Sequence, residues 1–469
     1  MIGQGGVSVD RHLVMEGCPD VRLAVVGAGI TGLGAAWLLG SRHEVVLFEA
    51  DGRLGGHANT VEVAAPEGPI AIDTGFIVYN TQCYPNLIAL FDRLGVPTAA
   101  TEMSFAVSLD AGAYEYSGSG LGPMFGQLRN IARLSHWRMT ADILRFFKEA
   151  SALDPATLGP EVTLGAWLAA KRYSDSFITR HIVPMGSAIW SAPGATILDF
   201  PFAAFVRFFS NHGLLQVSNR PEWRTVKGGS RAYVERIRHA FSGHVALGDP
   251  VVSVTGSGRG VEIKTRAGRL EPFDGVVLAC HADDAVQLTQ GADAETTSVL
   301  SAFRYQSNEA VLHTDAALMP KRKRVWASWN YLGQEGAGGA AVTYWMNRLQ
   351  PLATAKDYFV SLNPPRSVAA DRVLGRFSYA HPLFDAAALK AQSRLWDIQG
   401  KNRIWFAGSY FGYGFHEDGL QAGLAAAEDL SVQLGGGEGR VTRPWDFDRM
   451  LSRIAMPPVR AAAPLRACA

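Results

Sequence analysis

The chain has 469 residues and a formal net charge of +1, and 48% of its residues are hydrophobic against 19% that are charged. This length exceeds one ordinary hydrophobic core, so we expect two or three lobes. The near-neutral charge gives no general indication of nucleic-acid binding. The cysteines show neither metal-ligand spacing nor a disulfide framework, which favours a reducing cytoplasm. They are Cys18, Cys83, Cys280 and Cys468.

The two ends of the chain are predicted to lie outside the folded lobes. Residues 1–20 lack a periodic pattern and are predicted to form a disordered extension, and residues 437–469, rich in arginine, alanine and proline, a loosely attached tail. Residues 23–41 are uncharged and long enough to mimic a membrane span. Five glycines interrupt that stretch and a strand pattern follows at once, so a spanning helix is disfavoured.

The most informative motif is a glycine-rich turn between an apolar strand pattern at 23–26 and a helix pattern from 34 onwards. Gly27 allows a tight turn, Gly29 lets the backbone approach a pyrophosphate, and Gly32 lets the helix pack on the strand. The helix N-terminus offers free N–H groups and a positive dipole end to that pyrophosphate. Glu49, which ends the next strand pattern, would accept hydrogen bonds from a ribose. The predicted dinucleotide site comprises Gly27, Ala28, Gly29, Ile30, Thr31, Gly32, Glu49 and Ala50.

Three further segments indicate FAD rather than NAD. The pair Gly55-Gly56, followed by His57, lets the backbone pass close to a pyrophosphate and a ribityl chain. Residues 251–281 read as a three-stranded meander that returns to the parallel sheet, a layer that covers adenine in flavoprotein oxidoreductases. The third segment is a strand and turn at 404–409 followed by a helix opened by residues 412–423. The N-terminus of that helix could stabilise negative charge on the flavin.

Together these segments resemble the superfamily of FAD-linked amine oxidases and phytoene desaturases. Within it, the segments 73–80, 186–191, 211–216, 220–223 and 412–419 resemble a narrower group over residues 21–432. Its members are predicted NAD/FAD-binding proteins encoded beside bacterial cyclopropane-fatty-acid synthases, and a similar module forms the N-terminal half of plant cyclopropane synthases. The resemblance implies bound FAD and adds cofactor contacts at Thr74, Gly75, Phe76, Val251, Ala279, Gly408, Glu417, Asp418, Gly419 and Leu420.

The resemblance also implies an α/β fold in which a Rossmann-like FAD-binding domain of the glutathione-reductase type is split in sequence by a mixed α+β substrate domain. We place the FAD-binding domain at 21–83, 220–302 and 401–436, and the substrate domain at 84–219 and 303–400. Two positions depart from the superfamily. His57 replaces the usual arginine after the glycine pair, and Ser409 replaces an acid whose role can pass to Glu417 or Asp418.

The substrate half contains features that suit lipid. Residues 84–219 look mostly helical, and a helix after Pro123 has one apolar face at Met139, Ile143, Phe146 and Phe147. A dense phenylalanine cluster at 200–209 indicates either core or a channel for an alkyl chain. Basic residues between Arg129 and Lys148, and the run at 321–324 beside Trp326 and Trp329, mark either solvated surfaces or contacts with anionic headgroups. We therefore predict a cytoplasmic protein at the inner face of the membrane.

The flavin is expected to carry the chemistry by accepting a hydride, since no nucleophile triad, metal cluster or paired-carboxylate pattern stands out. The catalytic candidates are His416, Tyr413 and Glu417, because the C-terminal motif should lie beside the flavin ring, with His212 as second choice. The preferred function is FAD-dependent dehydrogenation of long, unsaturated or methyl-branched acyl chains. The alternatives are double-bond isomerisation, partnership with a lipid methyltransferase, and amine oxidation. No lysine characteristic of amine oxidases can be singled out, which disfavours the last of these.

Overall fold

A computed structural model of the chain describes residues 21–434 apart from 160, 217, 219, 290 and 337–340. The predicted extension at 1–20 and the predicted tail at 437–469 lie outside the described residues. Among the helices that are described, none is both long and apolar enough to cross a membrane.

The described strands, in chain order, are β1 (Arg22–Val26), β2 (Glu44–Glu49), β3 (Thr60–Ala65), β4 (Gly68–Asp73), β5 (Tyr79–Asn80), β6 (Thr98–Thr101), β7 (Phe105–Leu109), β8 (Tyr114–Ser117), β9 (Trp223–Val226), β10 (His244–Leu247), β11 (Val251–Gly256), β12 (Val261–Thr265), β13 (Leu270–Phe273), β14 (Gly275–Leu278), β15 (Arg304–His313), β16 (Trp329–Gly333), β17 (Val342–Trp345), β18 (Phe359–Leu362), β19 (Val373–Leu383) and β20 (Ile404–Phe406).

The described α-helices are α1 (Ile30–Leu39), α2 (Pro85–Leu94), α3 (Leu121–Met124), α4 (Leu134–Ser151), α5 (Leu164–Ala170), α6 (Asp175–Phe177), α7 (Val183–Trp190), α8 (Gly194–Leu198), α9 (Phe202–Asn211), α10 (Arg231–Ala240), α11 (Ala282–Leu288), α12 (Ala294–Leu300), α13 (Met346–Leu349), α14 (Ala386–Gln392) and α15 (His416–Leu434).

A five-stranded parallel sheet in the order β10-β2-β1-β14-β20 forms the first layer. Val25 in β1 lies opposite Leu47 in β2 and Val277 in β14. These central strands are apolar on both faces and buried, as parallel sheets covered by helices require. The predicted strand–turn–helix–strand unit and the return of the chain to this sheet near residue 276 are both confirmed.

Helices α1 and α15 pack almost backbone to backbone on this sheet. A Cβ placed on Gly423 would lie 2.2 Å from the carbonyl oxygen of Thr31, and one on Gly34 would lie 2.5 Å from a methyl carbon of Leu420. At Gly423 the obstructing atom belongs to the backbone, so only glycine allows this approach. The close packing sets the N-terminus of α15 beside the glycine turn after β1. Segments that are distant in the sequence therefore meet at this turn.

Four further sheets are present in the described part of the chain, of which two are small: β3-β4 and β5-β9-β6. The predicted meander is confirmed as β11-β12-β13, and the larger sheet has the order β19-β15-β18-β17-β16-β7-β8. The predicted second sheet over residues 303–376 is therefore present. The sheet also contains β7 and β8, which lie in the region 84–219 that was predicted to be mostly helical. The short alternating segments at 105–109 and 114–117 pair with each other antiparallel, and β7 joins β16 in parallel.

A helical layer covers the second sheet. The apolar face predicted for α4 is confirmed, since Met139, Ile143 and Phe146 are buried. The helix begins at Leu134 rather than just after Pro123, because Arg133 has extended backbone angles and separates α4 from the short turns before it. All five phenylalanines of the cluster are less than 5% exposed. Four lie on α9, and Phe200 lies just before it.

Candidate active site

A single continuous cavity of about 1470 Å³ runs from the glycine turn after β1 to the helical layer. Sites for one small ligand usually measure roughly 300–1,000 Å³. One end of the cavity is lined by Gly27, Gly29 and Glu49, and the other by residues of α4, α7 and α9. Its size and shape therefore suit a dinucleotide together with a second molecule.

The glycines at the first end form a cradle of bare backbone. Gly27 has a φ of +99°, and a Cβ there would lie 2.7 Å from the carbonyl oxygen of Ala279. A Cβ on Gly29 would meet nothing within 4 Å, whereas one on Gly56 would lie 3.1 Å from the Gly29 Cα. Larger side chains at Gly29 or Gly56 would thus occupy the space beside the N-terminus of α1, where a pyrophosphate is favoured. The residues present fit the predicted FAD.

Glu49 is held in place at the carboxyl end of β2. One of its carboxylate oxygens accepts the Ala28 N–H at 2.7 Å and the other accepts the Asp51 N–H at 2.9 Å. Each oxygen has a second lone pair for a further donor. Because Glu49 also lines the cavity, its carboxylate is oriented to accept hydrogen bonds from ribose hydroxyls.

Replacing Glu49 by alanine is expected to weaken FAD binding by about 1.5–3 kcal/mol, the range for a lost hydrogen bond to a charged group. The check is a titration of flavin-free protein with FAD, followed by flavin fluorescence. Glu44→Ala provides the control, because Glu44 begins the same strand with its side chain 62% exposed and pairs with Arg22. Equal FAD affinity in both variants would contradict the assignment of Glu49.

Most of the predicted cofactor residues line the cavity, and six do not. Those on the wall are Gly27, Ala28, Gly29, Ile30, Thr31, Glu49, Ala50, Gly56, His57, Thr74, Gly75, Phe76, Val251, Ala279 and Gly408. Those off the wall are Gly32, Gly55, Glu417, Asp418, Gly419 and Leu420. A Cβ on Gly32 would lie 1.8 Å from the Gly27 carbonyl oxygen, and one on Gly55 would lie 2.6 Å from that of Ala58. Both glycines therefore shape the cradle without reaching the cavity.

The two acids of the C-terminal motif correct the sequence prediction, since neither reaches the cavity. The Glu417 carboxylate accepts the N–H groups of Asn86 and Leu87, both at 2.9 Å, at the N-terminus of α2. Asp418 accepts the N–H groups of Tyr413 and Phe415 at 3.0 and 2.9 Å and closes the turn before α15. Burial raises the pKa of Glu417, and raises that of Asp418 to about 7. Both side chains are bound within the protein instead of facing a cofactor or substrate.

His416 and His212 both line the cavity, with different hydrogen bonding. Nε2 of His416 lies 3.0 Å from the Tyr233 hydroxyl, and its ring stacks on Phe76 at 3.8 Å. Nδ1 of His212 lies 3.0 Å from the Phe208 carbonyl oxygen. A carbonyl can only accept, so this nitrogen carries the proton and Nε2 of His212 keeps its lone pair. The prediction placed His416 first; in the structure, Nε2 of His416 is engaged by Tyr233, whereas Nε2 of His212 has no hydrogen-bond partner among the described residues.

Burial lowers the pKa of His416 to about 3 and that of His212 to about 4, so both rings are neutral near pH 7. The third residue of the predicted catalytic set, Tyr413, also lines the cavity. Burial raises the pKa of its hydroxyl to about 12, against the opposing charge of Arg207. It can donate a hydrogen bond at neutral pH without losing its proton.

Strand β19 contributes Tyr379 and His381 opposite His57, and neither is among the predicted site residues. The His57 ring centre lies 5.0 Å from that of Tyr379 and 5.4 Å from that of His381. The Tyr379 hydroxyl is 2.7 Å from the Thr74 hydroxyl, which ties the second sheet to the cofactor end. Burial and the neighbouring imidazoles lower the pKa of His57 well below its usual range. The alternation of Phe377, Tyr379 and His381 on one strand face was the available signal.

The protein is expected to lose stability on mild acidification. Four imidazoles on the cavity wall have pKa values lowered by burial from 6.5 to about 3 or 4, so the unfolded chain binds protons there that the folded chain does not. The stability associated with these neutral imidazoles is fully present above pH 6.5 and is lost as the pH falls. Two buried carboxyls with pKa values raised to about 6 and 7 act in the opposite direction. The six groups are His181, His212, His381, His416, Asp73 and Asp418.

His57, His136 and His313 also have lowered pKa values, and Glu417 and Asp284 raised ones. Lowered imidazoles therefore outnumber raised carboxyls, and the free energy of unfolding should fall between about pH 6.5 and 4, by about 1.4 kcal/mol per pH unit for each proton taken up on unfolding. The measurement is urea unfolding of the flavin-loaded protein from pH 7.5 downwards. A free energy of unfolding that stays constant or rises on acidification would contradict this expectation.

Comparison with known proteins identifies the family to which the chain belongs. Residues 30–338 match the family of flavin containing amine oxidoreductases. The protein named flavin-containing monoamine oxidase AofH from Mycobacterium tuberculosis is 28% identical over 258 residues, which is 54% of this chain and 55% of that protein. Protoporphyrinogen oxidase 2 of Arabidopsis thaliana is 40% identical over 92 residues, 19% of this chain and 17% of the relative. The chain thus spans about half the length, or less, of these curated relatives.

Solved structures show the same fold. Cyclohexylamine oxidase from Brevibacterium oxydans IH-35A superposes with a TM-score of 0.63 at 16% identity, covering 88% of this chain and 99% of that one. The CLA-producing fatty acid isomerase from P. acnes superposes with a TM-score of 0.63 at 14% identity, covering 88% and 98%. The predicted α/β fold and the FAD cofactor are confirmed.

Proposed function

The chain belongs to the family of flavin-containing amine oxidoreductases, and from this premise we propose that it is an FAD-dependent oxidoreductase that dehydrogenates a long acyl chain. The proposal rests on one part of the cavity, the substrate arm, which is lined by residues 84–214. Among the described residues, that arm contributes no Asp, Glu, Lys or Arg side chain to the wall. An alkyl chain requires no counter-charge along such a surface.

The walls of the substrate arm are built from large apolar side chains supplied by several elements. They include Phe105, Met124, Phe147, Met185, Ile189 and Trp190. An ammonium group buried there would lose its hydration without meeting a carboxylate of the arm, so the arm selects against cationic substrates. For a carboxylate, the cation on the wall just beyond the arm in the chain is Arg220. A headgroup or carboxylate would have to remain at one of the ends of the cavity.

The protein has to remove one proton for each dehydrogenation. FAD, when bound, supplies the acceptor for the hydride. The hydrogen on the neighbouring carbon leaves as a proton, and we assign Nε2 of His212 as its acceptor, because His212 lines the cavity and its bond at Nδ1 leaves the lone pair on Nε2. Stacking of His212 on Phe208, with ring centres 3.9 Å apart, and the bond to the Phe208 carbonyl hold the imidazole in position.

Amine oxidation is the second candidate, favoured by the sequence likeness to a protein named as a monoamine oxidase. Against it, the substrate arm has no carboxylate to pair with an ammonium group. Neutral amines remain compatible with aromatic walls, so the two functions need a direct comparison.

The test supplies the flavin-loaded protein with either phospholipids carrying monounsaturated or methyl-branched chains or a panel of amines, with and without an electron-accepting dye. Dehydrogenation predicts an acyl product lighter by two hydrogens that forms only with the acceptor. A product of unchanged mass formed without the acceptor would instead establish isomerisation. Turnover of amines with unchanged lipid would overturn the proposal in favour of amine oxidation. Unchanged lipid, with altered activity of an added lipid methyltransferase, would favour a partner role.

A further inference from the structure

Exposed apolar side chains are concentrated on one short stretch of the surface. Among the described residues, six of the eleven exposed large apolar side chains lie between residues 121 and 144. The most exposed are Leu134 at 86% and Leu121 at 83%. The Trp137 ring lies 4.8 Å from that of Phe125, and its Nε1 donates to the Ile131 carbonyl oxygen at 2.9 Å, which holds these segments together. Clustered exposed apolar side chains mark a binding site more often than an ordinary solvated face. We call this cluster the apolar patch, and it consists of Leu121, Leu128, Ile131, Leu134, Trp137 and Leu144.

The apolar patch surrounds an opening of the cavity. Leu121, Trp137 and Leu144 are exposed to solvent and also line the cavity wall. Phe125 and Phe147, on the same stretch of chain, are less exposed and line the cavity as well. The substrate arm therefore reaches the surface between α3 and α4, in the middle of the patch.

The rim of the apolar patch is positively charged. Arg129, Arg138 and Lys148 are exposed, and none has a carboxylate of the described residues within 4.0 Å. The two acids of the same segment are engaged elsewhere, since Asp142 is buried against Ser174 and Glu149 pairs with Arg145. The rim thus presents cations without neighbouring free acids.

The basic run at 321–324 reaches the same face only in part. A Cβ on Gly126 would lie 3.7 Å from the Cγ of Arg324, which places this exposed arginine beside the patch. Arg322 instead points inward and pairs with the buried carboxylate of Glu115 at 2.7 Å. The sequence pattern suggested that the run acts as one basic group. In the fold, Arg322 forms a structural ion pair, whereas Arg324 lies on the surface.

We propose that the apolar patch and its basic rim dock the protein on an anionic phospholipid surface, so that an acyl chain passes from the bilayer directly into the substrate arm. Apolar side chains of such a surface enter the boundary between headgroups and acyl chains, while arginine and lysine meet the phosphates. Direct passage keeps the alkyl chain out of water. The inference rests on the proposed acyl substrate for its purpose, but the docking itself can be measured without turnover.

The experiment compares flotation of the flavin-loaded protein with phosphatidylcholine vesicles and with vesicles that also contain phosphatidylglycerol, at low and high salt. The wild type is expected to float best on anionic vesicles at low salt. The combined variant Leu128→Glu, Ile131→Glu, Leu134→Glu changes only side chains outside the cavity wall and is expected to bind about tenfold less or weaker still, since each charge opposes insertion. Leu270→Glu is the control, because Leu270 is 57% exposed on β13, away from the patch.

A second variant, Arg129→Gln, Arg138→Gln, Lys148→Gln, is expected to lose the preference for anionic vesicles and to keep whatever binding neutral vesicles support. All variants are compared for bound flavin and for urea unfolding, so a folding defect is recognised. Equal flotation of the Leu128, Ile131 and Leu134 variant and the wild type would overturn the docking surface. Absence of wild-type flotation on any vesicle would do the same.

The failure of this inference is distinguishable from failure of the proposed function. Turnover of acyl substrates in detergent micelles without vesicle binding would refute docking alone, whereas vesicle binding without turnover of any acyl lipid would refute the proposed chemistry alone. Complex formation with a lipid methyltransferase, absent in the Leu128, Ile131 and Leu134 variant and unaccompanied by vesicle binding, would identify the patch as a protein interface and overturn the membrane assignment.

Discussion

Replacing Gly423 by valine is expected to leave the protein without bound flavin. Even the first carbon of a side chain at this position would lie 2.2 Å from the carbonyl oxygen of Thr31 and 2.9 Å from its carbonyl carbon. The obstructing atoms are backbone, so the whole of α1 has to move to make room. Because the N-terminus of α1 completes the glycine cradle, that movement displaces the pyrophosphate-binding groups.

Overpacking of a well-packed interior lowers the free energy of unfolding by about 1–3 kcal/mol when side chains can adjust. A larger loss is expected here, because the obstructing backbone atoms cannot adjust without moving the helix. The readouts are flavin absorbance of the purified protein and its free energy of unfolding in urea. Gly52→Val is the matched control, since a Cβ on Gly52 would meet nothing within 4 Å. Full flavin occupancy and an unchanged unfolding midpoint in the Gly423 variant would show that α1 and α15 are not locked together as described.

Replacing His212 by alanine is expected to lower turnover by about 10²–10⁴-fold, the usual contribution of a positioned proton-transfer group. FAD should remain bound, because His212 belongs to the substrate arm and not to the glycine cradle. With its pKa lowered to about 4, His212 is already unprotonated at neutral pH. Turnover should accordingly show no rise with pH between about pH 6 and 8 that depends on this residue.

His416→Ala is the matched comparison for His212. Its Nε2 is already bonded to Tyr233, so the expected loss of turnover is smaller. A large loss in the His416 variant with little effect of His212→Ala would reverse the two assignments. Loss of flavin from the His416 variant would place that residue among the cofactor contacts.

The cofactor end of the site could be predicted because the residues that form it are close together in the sequence. The turn from Gly27 to Gly32 requires a tight bend and close backbone approach, which glycines allow. The strand before it and the helix after it are recognisable from their hydrophobic periodicity. Glu49 follows at the end of the next strand, where parallel strands place ligand contacts. The meander at 251–273 was readable for the same reason, since alternation and turn residues are local signals.

The rest of the site depended on contacts between distant segments. Glu417 looked like a cofactor or catalytic residue because it sits in a glycine-rich motif, yet the packing of α15 turns it toward the N-terminus of α2, where two N–H groups hold it. Tyr379 and His381 carried no motif, and only the pairing of β19 in the second sheet brings them against His57.

The sequence by itself determined the cofactor class and the parallel sheet that carries it, because backbone conformation and hydrophobic period are properties of neighbouring residues. Only the tertiary structure decided which imidazole has a free lone pair, which acids face the cavity, and where the cavity opens. Those properties depend on which donor, acceptor or solvent each side chain meets after folding. For His212 that partner is the Phe208 carbonyl, and for Leu121 and Leu144 it is the solvent at the mouth of the cavity.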